Sequence, residues 1–140
     1  MGFLTFGASL IRTLSAVGNL KRRLDDAVHI KNAPNALMAL RDEVHDCEEL
    51  LYGTLKIARN SGHDLTTSKL RNVTNTLEQM KTTVLALESH LQLQLPKASG
   101  HSSSIERLAY LRGTPRAETL RNQLSRANLE LSRWKSLVNL

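Results

Sequence analysis

The stretch from Leu70 to Leu91, LRNVTNTLEQMKTTVLALESHL, decides the fold. Leu70, Val73, Leu77, Met80, Val84, Leu87 and Leu91 recur at alternating intervals of three and four residues. That spacing places them on one seam of an α-helix and is incompatible with the period of two that a half-buried strand needs. The helix is predicted to start between Asp64 and Thr67, where an Asp or Thr side chain can cap the free N–H groups of a first turn.

Working outward, three more segments show the same period. Phe3, Phe6, Leu10, Leu14, Val17, Leu20, Leu24 and Val28 form a stripe on a predicted helix from Phe3 to Ile30, on the order of 40 Å long. Asn32-Ala33-Pro34 separates it from a second helix, because Asn is a good N-cap and Pro is tolerated where N–H groups lack partners anyway. That helix carries Leu37, Leu40, Val44, Cys47, Leu51, Leu55 and Ala58, and Asn60-Ser61-Gly62 ends it. Pro96 to Ser104 reads as a linker, Ile105 to Arg112 as a short helix, and Gly113-Thr114-Pro115 as a break. The last helix shows Ala117, Leu120, Leu124, Ala127, Leu131, Trp134 and Val138 on one face. Four amphipathic helices with short links bury their stripes against each other, so the expected fold is all-α: an antiparallel four-helix bundle with a short additional helix before the last long one.

At 140 residues the chain is one domain's worth, residues 1–140, and its aromatic content of 4% suits helices better than sheets. The single cysteine, Cys47, excludes an internal disulfide and, with no secretion signal, favours a reducing intracellular compartment. The net charge of +6 is uneven: residues 1–31 carry +3, 32–60 carry −2, 61–96 are neutral and 97–140 carry +5. Basic ends around a neutral middle suit anionic lipid, an acidic protein surface or nucleic acid. Nucleic acid is the least favoured of these, since no recognition-helix motif or aromatic stacking platform accompanies the charge.

The first twenty residues, MGFLTFGASLIRTLSAVGNL, have Arg12 as their only charge and run into Lys21-Arg22-Arg23. Eight large apolar side chains would gain about 4 kcal/mol on insertion into a membrane, and Arg12 would return roughly 2.5–3.5 of it. Autonomous insertion is therefore marginal. No basic residue precedes the apolar run, against a secretory signal, and Phe6 stands where a myristoylation motif needs Ser or Thr. The same stripe can pack in a bundle or meet lipid. Phe3, Leu4, Phe6, Leu10, Ile11, Leu14 and Val17 are the candidates for membrane or oligomer contact, with Leu10, Leu14 and Val17 better suited to the core. Two aromatics around Leu4 exceed what one narrow stripe needs.

Lys21, Arg22 and Arg23 are candidates for anionic headgroups, each worth about 1 kcal/mol near such a surface, although Asp25 and Asp26 can neutralise them in part. Arg116, Arg126 and Arg133 on one flank of the last helix, and Arg121 and Lys135 on the other, could meet phosphate or an acidic partner. No catalytic residue, cofactor or metal is expected. His45 and Cys47 are two apart on a helix and point in different directions, the other histidines are scattered, and no nucleophile motif is present. Trp134 is expected as a core anchor.

Four stretches resemble a known family. They are Gly7-Ala8-Ser9-Leu10-Ile11 with Leu14, Val17 and Leu20; Ala33-Pro34-Asn35-Ala36-Leu37 with Ala39-Leu40-Arg41-Asp42-Glu43-Val44; the leucine-rich third helix; and Leu108-Ala109-Tyr110-Leu111-Arg112 followed by Leu120-Arg121-Asn122-Gln123-Leu124. The chain is similar to the fungal N-terminal helical domains, HeLo-like and related, of STAND (NLR-like) receptors. Its opening differs, with Phe3, Leu4 and Phe6 in place of an acidic or proline-containing start. The resemblance implies a cytoplasmic, non-enzymatic signalling domain ahead of a NACHT or NB-ARC domain in the same chain. It also implies self-association on activation, and in some members recruitment to the plasma membrane by the first helix in regulated cell death or innate immunity. The alternative is a soluble adaptor working by homotypic or partner helix contact without lipid. Leu137, Val138 and Leu140 end the sequence inside an apolar helix, which leads us to expect a longer receptor.

Overall fold

The computed structural model describes residues 2–28, 35–61, 64–94 and 115–138. They form four helices and no strand: α1 (Phe3–Val28), α2 (Asn35–Ser61), α3 (Thr67–Gln94) and α4 (Pro115–Val138). Asn32 to Pro34, Gly62, the linker at Pro96 to Ser104 and the short helix at Ile105 to Arg112 lie outside the described residues, as does the end of the first helix beyond Val28.

The starts of α3 and α4 have local causes. Thr66 caps α3: its Oγ1 accepts from the Lys69 N–H (3.2 Å), and its carbonyl accepts from Leu70 (3.0 Å). Pro115 opens α4 at the first helical position, where its missing N–H costs nothing.

The core is the union of the four stripes. Phe6, Leu10, Val17, Leu20 and Leu24 of α1 meet Leu40, Val44, Cys47 and Leu51 of α2, the whole series from Leu70 to Leu87 on α3, and Leu120, Leu124, Leu131 and Trp134 of α4. At roughly 1.5–3 kcal/mol per buried large apolar side chain, this burial is the main force holding the helices together. The periodicity did not reveal the buried polar residues between the stripes. Thr54, Thr74, Thr76 and Thr83 each donate to the carbonyl four residues back, at 2.7–3.1 Å. A hydroxyl satisfied inside its own helix is a small, inexpensive filler for a helix interface.

Around the bundle α1 lies against α2 and α3, and α4 lies against α3 and α2, so α1 and α4 occupy opposite corners. Residue numbers rise together along α1 and α3, where Ser9 meets Glu78 and Arg23 meets Glu88. They run against each other along α3 and α4, where Trp134 Nε1 donates to the Lys69 carbonyl (3.0 Å) and Thr76 reaches Glu130. They rise together again along α2 and α4, through Glu43 with Asn128 and Gly53 with Lys135. Helices of like direction are thus neighbours at two of the four interfaces. Phe6 and Trp134 close the α1–α4 diagonal at one end, with ring centres 6.2 Å apart.

Candidate functional site

α1 has two working faces. Phe6, Leu10, Val17, Leu20 and Leu24 are fully enclosed, Phe3 and Leu14 are partly buried against them, and Phe3 meets Phe6 edge to face at 6.1 Å. Leu4 and Ile11, seven residues and two turns apart, point to solvent with 86% and 63% of their surface exposed. The seven apolar candidates therefore separate. Leu4 and Ile11 are displayed, Phe3 and Leu14 are intermediate, and Phe6, Leu10 and Val17 belong to the core.

The inner face is fixed by polar groups as well as apolar ones. The Thr13 hydroxyl lies 2.7 Å from the Ser9 carbonyl and 3.2 Å from the Leu77 carbonyl of α3, and Ser9 Oγ donates to Glu78 Oε1 at 2.8 Å. Hydrogen bonding from Lys81 first, and from Ser9 second, holds the Glu78 carboxyl below its usual pKa. Ser9 and Thr13 were not candidates from sequence. Their signal was their place on the wheel between Phe6, Leu10 and Val17, where a polar residue needs a partner.

The basic cluster separates in the same way. Lys21 Nζ binds Glu48 of α2 at 2.8 Å, and that hydrogen bond raises its pKa. Arg23 binds Glu88 of α3 at 3.2 Å. Both cations thus tie α1 to its neighbours through Glu48 and Glu88, in place of the local neutralisation by Asp25 and Asp26 that the sequence suggested. Of the three, Arg22 alone makes no ion pair among the described residues, donating instead to Asn19 Oδ1 at 3.0 Å. Arg116, Arg126 and Arg133 are exposed along α4. Arg116 lies close enough to His90 to add to the main effect, burial, in lowering that imidazole's pKa.

On the solvent side of α1, Leu4, Ala8, Ile11 and Ser15 are exposed, Gly7 and Gly18 are half-buried, and a Cβ at either glycine would meet nothing within 4 Å. Arg12, the one charge in this part of the helix, stands on the flank toward α3, near Glu78. The exposed residues of α2, by contrast, include Asp42, His45, Asp46, Glu49, Lys56 and Arg59. Gly7 and Ala8 entered only through the family resemblance, and Ser15 and Gly18 were not candidates, because hydropathy patterning scores the presence of apolar groups. The readable signal was the absence of charge on the side opposite the stripe.

Cys47 is enclosed, and burial, reinforced by Glu43 and Glu48, pushes its thiol up to about 12, which makes it an inert core residue. Among the described residues no cluster of His, Cys, Asp or Glu could hold a metal ion, and no helix is long and apolar enough to cross a membrane. Comparison with family models, curated proteins and solved structures finds no match to this chain.

Proposed function

We propose that this chain is a non-enzymatic signalling and effector module that self-associates and engages an anionic membrane surface through the outer face of α1. The observation that carries the reading is a helix with a second face, uncharged from Leu4 to Gly18, that no described residue covers. Leu4 and Ile11 stand on a smooth surface of Gly7, Ala8, Ser15 and Gly18, with Arg12 and Arg22 exposed beside it.

Magnitudes favour contact without release of the helix. Withdrawing α1 would uncover Phe6, Leu10, Val17, Leu20 and Leu24, about 8–15 kcal/mol of burial, and strip α2 and α3 of their cover as well. Lipid would return only the first part of that. Laying Leu4 and Ile11 onto a surface, with about 1 kcal/mol each from Arg12 and Arg22, offers roughly 5–8 kcal/mol before the cost of immobilisation. That is weak, reversible attachment for one copy. Several linked copies multiply it, so self-association and membrane engagement support each other.

The likeness to HeLo-like domains of fungal STAND receptors supports the same reading. We extend it to a cytoplasmic module under the control of a NACHT or NB-ARC domain in the same chain, recruited to the plasma membrane on activation in cell death or immunity. A second reading, a soluble adaptor that binds a partner helix through the same face, is favoured by the complete enclosure of Phe6, Leu10 and Val17.

Co-sedimentation with phosphatidylserine-containing and with neutral phosphatidylcholine vesicles tests the first reading. Wild type is expected to sediment with the anionic vesicles, and an Ile11→Glu, Leu4→Glu variant with an unchanged melting curve is expected to stay in solution. Wild type that ignores both vesicles yet still self-associates leaves the adaptor reading.

A further inference from the structure

The solvent faces of α2 and α4 carry opposite charge. On α2, Met38, Asp42, His45, Glu49 and Tyr52 recur at intervals of four and three and are all exposed, opposite the buried stripe. On α4, Arg126, Leu129 and Arg133 are exposed in the same way. From Met38 to Thr54 the exposed charges are Asp42, Asp46 and Glu49, all acidic. From Arg126 to Leu137 they are Arg126, Arg133 and Glu130, and Glu130 turns toward Thr76 of its own α3, 3.5 Å away. Neither arginine forms an ion pair among the described residues, even though Arg126 and Asp46 line the same groove between α2 and α4. The neighbours of the carboxylates are themselves on the surface: Arg41 stands 4.0 Å from Asp42, and His45 3.4 Å from Glu49.

Spacing makes the two faces fit. Asp42 and Glu49 are seven residues apart, as are Arg126 and Arg133, which is two turns or about 10.5 Å in each helix. Asp42 precedes Arg126 by 84 residues, and His45 precedes Leu129 and Glu49 precedes Arg133 by the same number. Inside one copy α2 and α4 run in the same direction. Their heights are tied by the bond from Asn128 to Glu43 and by Lys135, whose side chain lies over Gly53, at offsets of 85 and 82 residues. Residues 84 apart therefore stand level. A second copy set beside the first, with no reversal and no shift along the helices, brings Arg126 against Asp42, Leu129 against His45 and Arg133 against Glu49. The fold does not require that agreement, since all six side chains are exposed.

We infer that the solvent face of α2 binds the solvent face of α4 from a second copy of this chain, the helices parallel and level, through Asp42 with Arg126 and Glu49 with Arg133 around His45 and Leu129. This rests on the self-association reading above and deepens it. The contact joins two different patches, and each copy offers one of each, so the assembly extends beyond a dimer. It leaves the outer face of α1 uncovered in every copy, free for the membrane. Exposed ion pairs are individually weak and are screened by salt. Association is therefore expected to be weak in dilute solution, to fall with ionic strength and to strengthen where copies are held close together.

Sedimentation velocity of the whole chain, over a range of protein concentrations at low and at high salt, tests it. Glu49→Arg, Arg126→Glu and Arg133→Glu change exposed side chains, so all should melt as wild type does. Wild type is expected to form species larger than a dimer at low salt and to lose them at high salt. Each variant alone should associate at least about tenfold more weakly, because like charges then meet. An equimolar mixture of Glu49→Arg and Arg133→Glu sets opposite charges together wherever unlike copies touch, so it is expected to recover the wild-type species. A mixture of Glu49→Arg and Arg126→Glu keeps one intact pair of faces and should stop at the heterodimer. An antiparallel contact would pair Glu49 with Arg126 and exchange the two results, and that exchange overturns the parallel register. Wild-type association that survives both Glu49→Arg and Arg133→Glu overturns the α2–α4 contact and leaves self-association standing. Wild type that stays monomeric at high concentration and low salt overturns both.

Discussion

Leu10 and Ile11 are adjacent in sequence, similar in size and alike in hydropathy, yet one is fully enclosed and the other 63% exposed. The whole of α1 repeats that contrast. Its inner side meets α2 and α3 and ends on Trp134, while its outer side meets nothing described here. An apolar side chain on the inner side is accounted for by the fold. One on the outer side is not, and function is to be sought where the fold gives no reason for the residue.

Replacing the two in turn breaks the comparison most sharply. Leu10→Ala is expected to lower unfolding stability by about 2–5 kcal/mol, read as a shift of the urea midpoint, because it leaves a cavity in the core where Leu10 is fully enclosed. Ile11→Ala should stay within about 0.5 kcal/mol of wild type. Similar losses at both positions would mean that the outer face is packed in solution, and the proposed contact surface would be gone. Thr13→Val comes next, at about 0.5–1.5 kcal/mol by the same measurement. It removes a hydroxyl placed between the Ser9 and Leu77 carbonyls and inserts a methyl in its place.

The bundle was legible because core burial follows the 3.6-residue period so closely. Every stripe residue from Leu70 to Leu87 is buried, and Leu120, Leu124, Ala127, Leu131 and Trp134 all reach the core. The order of helices around the core was less accessible. It depends on which stripe edges accept close approach, and Ser9, Thr13 and Glu78 supply that at α1–α3. The site was legible only in part. A wheel shows that Leu4 and Ile11 lie off the stripe, but whether Lys21, Arg22 or Arg23 is free depends on Glu48 and Glu88, which are 27 and 65 residues away from their partners. Asn128 was hidden for the opposite reason. It lies four residues after Leu124 and three before Leu131, on the seam itself, where a list of apolar positions passes over it.

Gly18→Ala sharpens the comparison from the outer side. A methyl there meets open space, and exchanging an interior helical glycine for alanine is worth roughly 0.5–1 kcal/mol of added stability. The thermal midpoint should rise while self-association stays unchanged, because Gly18 lies outside the contact between α2 and α4. Weaker association would move that contact onto α1.

The smallest effect is expected in acid, on the inner side. Glu78 is held below its usual pKa by Lys81 and Ser9, so the folded state binds its proton less readily than the unfolded chain. A depressed carboxyl contributes stability above its unfolded value, near the 4.5 of a free glutamate, and loses it as the pH falls through the folded value. Its side chain is 46% exposed, so solvent screens the contribution and the change should be slight. Glu78→Gln is therefore expected to flatten the acid limb of the stability curve below about pH 4.5 and to leave its shape above pH 6 unaltered. Ile11→Ala, which touches neither Lys81 nor Ser9, should keep the wild-type limb. If both variants kept it, the Ser9–Glu78–Lys81 chain would contribute nothing to stability, and the attachment of α1 to α3 would rest on Thr13 and apolar burial alone.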